Sequence, residues 1–397
     1  MAQSNNKVYY GEYSLKRWID LILNGGIVLP PYQRYFVWKE EQAKRLIKSI
    51  KEYYYLPAVT IGIGRNPITG KKENMILDGQ QRLTSVLLAY LGKFPKRKIP
   101  VGKKKYADEN DLPTVVDADD DLLSEWTFKD LLQMGNDKDS ILAKINADFA
   151  GSYTDFVVDG VKINDSFLLK HFIHFAYLVP DSTSSDLEKS KYLANVFHSI
   201  NREGTKLTAQ ESRAALYYQG GNYQAELEPD FCKGITANNS SMDFVRFLAL
   251  LSNYKKVGSK HVAAGFSNVG NRETLYEEFV LWYVLRENIH EKFDFDRNNY
   301  LANLDKLKNA FEQLGLKDRK CATIIELDYY YAGLIYYQLI LGKDYNPAKW
   351  DETKTAIETL VGSADEAHKN HPGQLQYLRK RIDESINAYK TLFDIAE

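Results

Sequence analysis

The chain has 397 residues, 44% of them hydrophobic and 26% charged, which is enough for two hydrophobic cores of ordinary size. A formal net charge of −1 excludes a global electrostatic attraction to nucleic acid. The sequence has no apolar run long enough to span a membrane and no apolar signal region in residues 1–7, so we expect a soluble cytoplasmic protein with no membrane partner. In that reducing compartment Cys232 and Cys321 are expected to be free thiols.

The first predicted elements are two helices followed by a strand. Ser14 is a suitable N-cap for a short amphipathic helix that ends at the Asn-Gly-Gly of residues 24–26. Apolar residues at helical spacing predict a second helix over residues 43–54, and Pro57 separates it from the alternating strand Val59–Ile63. The second helix therefore returns the chain to a sheet.

Between the two helices lies a loop rich in aromatic residues, at residues 29–38. Arg34 could bring a guanidinium group to bound phosphates or to a nucleic-acid backbone. Tyr32 or Trp38 could stack on a base. Core packing is the alternative, and it is favoured for Trp38 and Phe36 because aromatic residues near helix starts usually fill the core.

The segment Asp78-Gly79-Gln80-Gln81-Arg82 joins a strand-like apolar run, Met75–Leu77, to a helix, and we interpret it as a phosphate-binding turn. Gly79 allows a ligand to approach the main chain, and a helix start offers unpaired N–H groups and a positive dipole end. An ordinary capped helix is the alternative. The apolar face that follows consists of Leu83, Val86, Leu87, Tyr90 and Leu91, at helical spacing.

Each polar residue of this turn has a candidate role. Asp78 could cap the helix, hold a magnesium ion that shields the phosphates, or orient an attacking water. Arg82 would supply a permanent positive charge. Gln80 and Gln81 carry both donors and acceptors, so they could bond phosphate oxygens or position water without changing the charge.

A third segment predicts a helix, a tight turn and a second helix. An apolar stripe that includes Leu193 and Phe197 defines the first helix, Gly204 permits the turn, and Thr208 with Glu211 has the spacing of a capping box. Two polar residues here are candidates for either a ligand contact or a structural role. Asn201 could point its amide at a bound nucleotide or simply end the first helix, and Arg213 lies in the first turn of the second.

Three motifs in this order resemble the N-terminal domain family of the GmrSD modification-dependent restriction system. The matching residues are Pro31-Tyr32-Gln33-Arg34 with Trp38, then Asp78 to Thr84, then Phe197, Ile200-Asn201, Gly204-Thr205, Leu207-Thr208, Glu211 and Arg213. The resemblance covers roughly residues 10 to 220, a little over half of the chain. It implies a ParB/sulfiredoxin-like nucleotide-binding fold and a module that hydrolyses nucleoside triphosphates in prokaryotic defence. Some relatives couple that hydrolysis to the sensing of modified bases or a modified DNA backbone.

On these grounds we predict a magnesium-dependent NTPase that serves an anti-phage, modification-dependent restriction system. The expected catalytic residues are Asp78, Gln80, Gln81 and Arg82, with magnesium at Asp78. The expected nucleotide-binding residues are Tyr32, Gln33, Arg34, Gly79, Thr84 and Asn201. The alternative is a non-hydrolysing DNA-binding or modification-sensing module that works with a separate nuclease, and a nuclease site that cannot be connected by sequence is a third possibility.

The family's best-known members carry or recruit an HNH-type nuclease, whose metal-binding histidines are not evident here. The chain has seven histidines, none in the His-rich strand-turn-helix context that a one-metal nuclease needs. We expect His171 and His174 to be a structural pair on one helix face, and a separate nuclease or effector subunit to cut DNA.

Two oppositely charged blocks follow the phosphate turn. Residues 93–106 hold seven Lys or Arg and no acid, and residues 107–125 hold eight acids and no base. Lys96, Arg97, Lys103 and Lys104 are weak candidates for contacts with a DNA backbone, which would weaken steeply as salt rises. A solvated loop neutralised by the acidic block is slightly favoured.

The predicted fold class is α/β (α+β), with a nucleotide-binding domain at residues 1–222 and an all-α domain at residues 223–397. A helical insertion is expected at about residues 107–190, with helices at Trp126–Met134 and Phe167–Leu178. The C-terminal helices are predicted at Phe244–Leu251, Thr274–Asn288, Tyr300–Leu314, Ala322–Leu341, Trp350–Val361 and Leu375–Phe393. We interpret the tyrosines at 329–331 and 336–337 as buried packing.

Overall fold

The computed structural model describes residues 5–33, 35–66, 69–96, 107, 126–203, 209–218, 221–238, 240–267, 269–285 and 292–395. At 187, 198, 201–203, 209–212 and 269–271 it describes the backbone alone. The fold is mixed α/β, 53% helical and 13% strand. It divides into two compact units, an N-terminal unit (Met1–Lys103 with Asp117–Gly221) and a C-terminal unit (Lys104–Val116 with Asn222–Glu397).

The N-terminal unit is built around a sheet of four strands. The strands of the whole unit are β1 (Lys7–Ser14), β2 (Val59–Arg65), β3 (Lys72–Asp78), β4 (Lys93–Pro95), β5 (Tyr153–Asp155) and β6 (Phe172–Val179). Its helices are α1 (Leu15–Leu23), α2 (Glu40–Lys51), α3 (Gln80–Leu91), α4 (Phe128–Leu132), α5 (Lys138–Asp148), α6 (Asp165–Lys170), α7 (Asp186–Glu203) and α8 (Ala209–Leu216). The main sheet has the order β1-β6-β2-β3, and β4 pairs with β5 separately.

Strand directions alternate except at the centre of the main sheet. β1 and β6 are antiparallel, β6 and β2 are parallel, and β2 and β3 are antiparallel. Because β2 and β3 are neighbours, Thr60 on β2 pairs with Asp78, the last residue of β3, beside a register shift between Thr60 and Ile61. The sheet thus places the predicted phosphate turn directly at the end of one of its edge strands.

Helix α3 is buried on all sides, whereas the sequence predicted a single apolar face. Apart from Tyr90, its residues are all buried, and these include Gln80, Gln81 and Arg82. Helices α1 and α2 both pack against it. A helix covered on every side needs partners for its polar side chains, because a buried polar group without a hydrogen bond is costly.

The predicted helix Phe167–Leu178 is wrong over its second half. Helix α6 is capped by the Asn164 side chain and ends at His171, after which the chain forms strand β6. β6 pairs with β1 on one side and β2 on the other. Its apolar run satisfies both helix and strand patterns, and pairing with strands distant in sequence decides between them.

Two further expectations change with this strand. The region at about 107–190 is not a wholly helical insertion, because it contributes β6 to the interior of the sheet. His171 and His174 do not share a helix face. His171 Nδ1 lies 2.9 Å from the Phe167 carbonyl at the end of α6, and His174 is an exposed residue of β6 whose Nε2 lies 3.5 Å from Glu12 Oε2.

The C-terminal unit is mainly helical. Its helices are α9 (Gln224–Leu227), α10 (Phe244–Val257), α11 (Val269–Leu285), α12 (Tyr300–Gln313), α13 (Ile324–Ile335), α14 (Trp350–Gly362), α15 (Glu366–Asn370) and α16 (Leu375–Tyr389). A π-helical turn, Tyr336–Ile340, extends α13. The short strands β7 (Thr236–Ala237), β8 (Ser240–Ser241) and β9 (Lys320–Cys321) form a sheet of order β8-β7-β9.

The prediction of an all-α domain is wrong for this unit, because β7, β8 and β9 form a small sheet within it, but the positions of its helices are confirmed. Each predicted C-terminal helix overlaps an observed one. The tyrosines at 329–331 are buried in α13, and Cys232 and Cys321 are buried free thiols. Within the part of the chain that the structure describes, no helix is both long and apolar enough to cross a membrane.

Candidate functional site

The turn between β3 and α3 depends on Gly79. This residue is the N-cap of α3 with φ +96° and ψ 5°, a left-handed conformation that residues with a Cβ rarely adopt. A Cβ at this position would lie 2.8 Å from Val59 Cγ2 on the neighbouring strand β2. Among the described residues, no side chain makes a capping hydrogen bond at this N-cap. Helix α3 therefore begins at the end of the sheet without a side-chain cap.

Arg82 is fixed by partners within the protein. Its Nη2 donates to Asp78 Oδ2 at 2.6 Å and to the Ala58 carbonyl at 3.4 Å, and its Nη1 donates to the Pro57 carbonyl. The Arg82 side chain is 10% exposed and that of Asp78 is 35% exposed. The carboxylate of Asp78 is thus partly exposed to solvent, whereas the guanidinium of Arg82 is mostly buried. The guanidinium is hydrogen-bonded to the backbone just before β2.

Only one carboxylate oxygen of Asp78 has a hydrogen-bond partner among the described residues. Its Oδ2 accepts from Arg82, and Oδ1 accepts no hydrogen bond from any residue that the structure describes. No group of three or more His, Cys, Asp or Glu side chains in the described ranges could enclose a metal. A single partly exposed carboxylate fits magnesium, which commonly takes one or two protein carboxylates and completes its shell with water and substrate phosphates.

Gln81 links the turn to the aromatic loop. Its Oε1 accepts from the backbone N–H groups of Val37 at 2.8 Å and Trp38 at 3.2 Å, and its Nε2 donates to the Tyr35 carbonyl at 3.1 Å. Gln81 is buried, and both ends of its amide are used in this way. Gln81 therefore links two motifs that lie far apart in sequence.

Gln33 makes a second link between the same segments. Its Nε2 donates to the Ile76 carbonyl on β3 at 2.9 Å, while Ile76 N–H bonds the Val28 carbonyl. The aromatic loop is therefore attached to β3 just before the turn and to α3 just after it. The structure brings together the first two sequence motifs around Asp78 and Gly79.

Tyr32 connects these motifs to the third. Its ring lies 4.8 Å from the ring of Phe197 on α7 and 5.5 Å from that of Tyr218, and only 8% of the residue is exposed. Burial raises the pKa of the Tyr32 phenol well above its usual value. The expected stacking of Tyr32 on a base is not supported, because other aromatic rings already occupy its surroundings.

Gln80 and Thr84 are also buried in the first turns of α3. Thr84 is fully buried, and its Oγ1 has no hydrogen-bond partner within the described part of the molecule. Ser85 Oγ, by contrast, donates to the Gln81 carbonyl at 2.8 Å. The polar side chains in the first turns of α3 thus lie inside the protein, on the buried side of the turn.

The remaining predicted residues lie elsewhere or outside the described ranges. Phe36 is fully buried, and Trp38 packs partly buried on the same core, which confirms the packing interpretation. Lys96 is exposed, next to β4. Residues outside the described part are Arg34, Arg97, Lys103 and Lys104, together with the side chain of Asn201.

Sequence reasoning missed two contributors to this site. The carbonyls of Pro57 and Ala58 hold Arg82, and Val59 lies directly against Gly79. Main-chain carbonyls leave no side-chain signal, and the contact with Val59 depends on the pairing of β2 with β3. The only available signal was that Pro57 precedes a strand.

Comparisons with known proteins agree with the position of these motifs. The sequence model of the family described as "GmrSD restriction endonuclease, N-terminal domain" matches residues 15–218. An uncharacterized protein of Methanocaldococcus jannaschii is 26% identical over 252 residues, which cover 52% of this chain and 42% of that relative. The match therefore spans less than half of the relative's length. No solved structure matches the chain significantly.

Proposed function

The chain belongs to the family of GmrSD restriction endonuclease N-terminal domains, and from this premise we propose that it is the NTP-hydrolysing component of a prokaryotic restriction system. The observation that carries the proposal is the uncapped start of α3 at Gly79, with the partly exposed carboxylate of Asp78 beside it. A helix start of this kind binds phosphate through backbone N–H groups and the helix dipole.

In this proposal the first turn of α3 would bind the phosphates, and Asp78 would hold a magnesium ion. A carboxylate beside a triphosphate would repel it, so the second oxygen of Asp78 calls for a cation between them. When bound, magnesium would neutralise charge on the phosphates. The protein's own contribution is mainly positioning, since phosphoryl transfer requires little covalent chemistry from the enzyme.

Arg82 receives a different role from the one that its sequence position suggests. Its guanidinium is held by Asp78 and by the Pro57 and Ala58 carbonyls, so we assign it as a positioning residue for Asp78. Gln81 acts in the same way on the aromatic loop. Gln33 and Tyr32 then position the loop, and direct nucleotide contacts are assigned to the backbone at Gly79 and Gln80.

The finer parts of the proposal follow from the family. We propose a ParB/sulfiredoxin-like arrangement for the N-terminal unit, in which a strand leads through a glycine turn into a buried helix. Coupling to modified DNA, and a separate nuclease subunit within the same cytoplasm, belong to the same proposal. Within the described ranges, no cluster of potential metal ligands is available for a nuclease centre.

The test is phosphate release from ATP, GTP, CTP and UTP with magnesium, with and without modified DNA, for the wild type and for Asp78→Asn. The asparagine still accepts the bond from Arg82 but removes the charge, so we expect turnover to fall about 100-fold. The matched control is Asp148→Asn, which removes an exposed carboxylate paired with Lys144 on helix α5. Its turnover should equal that of the wild type.

Two outcomes would contradict this function. Full turnover in a folded Asp78→Asn variant would remove Asp78 from the mechanism. No turnover by the wild type with any nucleotide, together with DNA binding that weakens as salt rises, would instead identify a non-hydrolysing recognition module.

A further inference from the structure

The connection between α2 and β2 begins with three consecutive exposed tyrosines. Tyr53, Tyr54 and Tyr55 are 74%, 69% and 89% exposed. Aromatic side chains usually bury much of their surface, and exposed groups of them mark sites of interaction. Pro57 and Ala58, whose carbonyls hold Arg82, follow on the same connection. The three tyrosines therefore precede the backbone that fixes Arg82 by only a few residues.

Tyr53 is the outermost ring of a stack of three. The ring centroids of Phe167 and His171 are 4.1 Å apart with an interplanar angle of 30°, and those of His171 and Tyr53 are 5.0 Å apart with an angle of 22°. Phe167 and His171 are both nearly buried, whereas Tyr53 is mostly exposed. The stack thus runs from the interior of the N-terminal unit to its surface.

The middle ring of this stack is held by a hydrogen bond. His171 Nδ1 lies 2.9 Å from the Phe167 carbonyl, which can only accept, so Nδ1 carries a proton and donates. The His171 ring covers one face of Tyr53, and no other ring of a described residue contacts Tyr53. Because most of the residue is exposed, the opposite face of the Tyr53 ring is open to solvent.

The backbone of Tyr53 has a conformation that favours glycine. Its φ is +55°, and it follows Glu52, the C-cap of α2. The Tyr53 N–H donates to the Ile50 carbonyl at 3.1 Å, and the Tyr54 N–H donates to the Ser49 carbonyl at 2.9 Å. This is the Schellman pattern of a helix end, in which glycine is the usual residue at the left-handed position. A tyrosine at such a position indicates a role for its ring.

The surface around the stack carries a net positive charge. Residues 45–55 and 165–172 form the second half of α2 with the tyrosines, and α6 with the start of β6, and they contain four Lys or Arg and two acids. The four basic residues, all exposed, are Arg45, Lys48, Lys51 and Lys170, and the acids are Glu52 and Asp165. Lys51 Nζ lies 3.7 Å from Glu52 Oε1. The other three basic residues form no ion pair with any residue that the structure describes.

We propose that this surface binds single-stranded DNA, with an unpaired base stacked on the open face of Tyr53. Proteins that bind single strands stack successive bases on aromatic side chains and contact the backbone with cations, and every base has a face that can stack. Tyr54 and Tyr55 supply rings for neighbouring bases, and Lys48 and Lys170 supply charge for the phosphates.

An unpaired strand fits this surface better than a duplex does. Within a duplex each base is covered on both faces by its neighbours, so only a strand with unpaired bases offers a free face to Tyr53. The choice of DNA as the partner rests on the proposed coupling to DNA. Binding of the strand, however, requires no hydrolysis, so it can be measured without a nucleoside triphosphate.

The test is the fluorescence anisotropy of a short labelled oligothymidylate, titrated with the full chain in the absence of nucleoside triphosphate. Tyr53→Gly should raise the Kd about tenfold, because it removes the stacking ring. Glycine suits the left-handed backbone, so this variant should remain folded, which thermal unfolding checks. Tyr53→Phe keeps the ring without its hydroxyl and should bind as the wild type does.

Two further variants separate stacking from charge. The matched control is Tyr10→Ser, which removes an equally exposed tyrosine from strand β1 and should leave the Kd unchanged. Lys48→Gln should weaken binding and reduce its dependence on salt, because it removes a cation that contacts the phosphates.

Four outcomes would overturn the proposal. They are a wild type that does not bind the oligonucleotide, a Tyr53→Gly variant with the Kd of the wild type, equal affinity for the single strand and for a duplex of the same length, and loss of binding in Tyr53→Phe. If Tyr53→Gly instead kept the oligonucleotide and raised the KM for a nucleoside triphosphate, the base on Tyr53 would be that of the nucleotide. Because the binding assay contains no nucleoside triphosphate, its result does not depend on whether the chain hydrolyses one.

Discussion

At the scale of single residues, the polar side chains of the turn serve mainly to hold its parts together. Gln81 uses its whole amide on the aromatic loop, and Arg82 is held by one carboxylate and two carbonyls. Residue type and spacing identified both as functional candidates. Their direction into the protein could not be predicted, because it depends on backbone atoms of residues 35–38 and 57–58.

Arg82→Ala should therefore destabilise the fold as well as impair turnover, although its sequence position suggests a catalytic role alone. The substitution leaves two carbonyls and Asp78 without their charged donor, so we expect the free energy of unfolding to fall by about 2 kcal/mol. Urea denaturation measures this change. The control is Arg65→Ala, whose ion pair with Asp186 is more than half exposed and should contribute well under about 1 kcal/mol. Equal losses for the two variants would contradict the buried role of Arg82.

At the scale of elements, the strand β3, the turn and the helix α3 were predictable, and the strand β6 was not. The pattern before Gly79 is a short apolar run and the pattern after it has helical spacing, so each agrees with the local structure. Residues 172–179 are apolar except for His174, and their conformation depends on β1 and β2 at distant positions. The local sequence pattern does not show with which distant strands this segment pairs.

Gly79→Ala tests the close approach of the turn to β2. Gly79 and Gly92 flank α3 and both have positive φ, but only Gly79 would bring a Cβ against another side chain, at 2.8 Å from Val59 Cγ2. We expect the free energy of unfolding to fall by about 3 kcal/mol for Gly79→Ala and about 1 kcal/mol for Gly92→Ala. Chemical denaturation gives both values.

A double-mutant cycle separates strain in the backbone from the contact with Val59. If the contact is the cause of the difference, Gly79→Ala should cost less in a Val59→Ala background than in the wild type. Additive losses would mean that backbone strain alone accounts for the result.

At the scale of the whole molecule, stability should depend on pH through His368. Its pKa is lowered from 6.5 to about 4 in the folded chain, by burial first and by Arg381 and Lys380 next, against smaller opposite effects of Asp365 and Asp328. Between these values the unfolded chain binds more protons than the folded chain. The free energy of unfolding therefore falls as the pH falls from 6.5 to 4, by at most about 1.4 kcal/mol per pH unit.

Urea denaturation at intervals from pH 4 to pH 7 measures this slope. His368→Gln lacks the titrating ring but keeps a carbonyl that can accept from Arg381, so its slope should be smaller in this window. Identical slopes for the variant and the wild type would exclude His368 as the cause.

The sequence by itself determined the family, the glycine turn between a strand and a helix, and the mainly helical C-terminal unit, because all of these depend on local pattern and residue type. Only the tertiary structure decided that Arg82 lies behind Asp78, that Tyr32 is buried against Phe197, and that Arg246 and Arg381 share Asp328. These contacts join residues from separate elements, often far apart in the chain. Their energies arise from burial and hydrogen bonding, which exist only after the elements pack together.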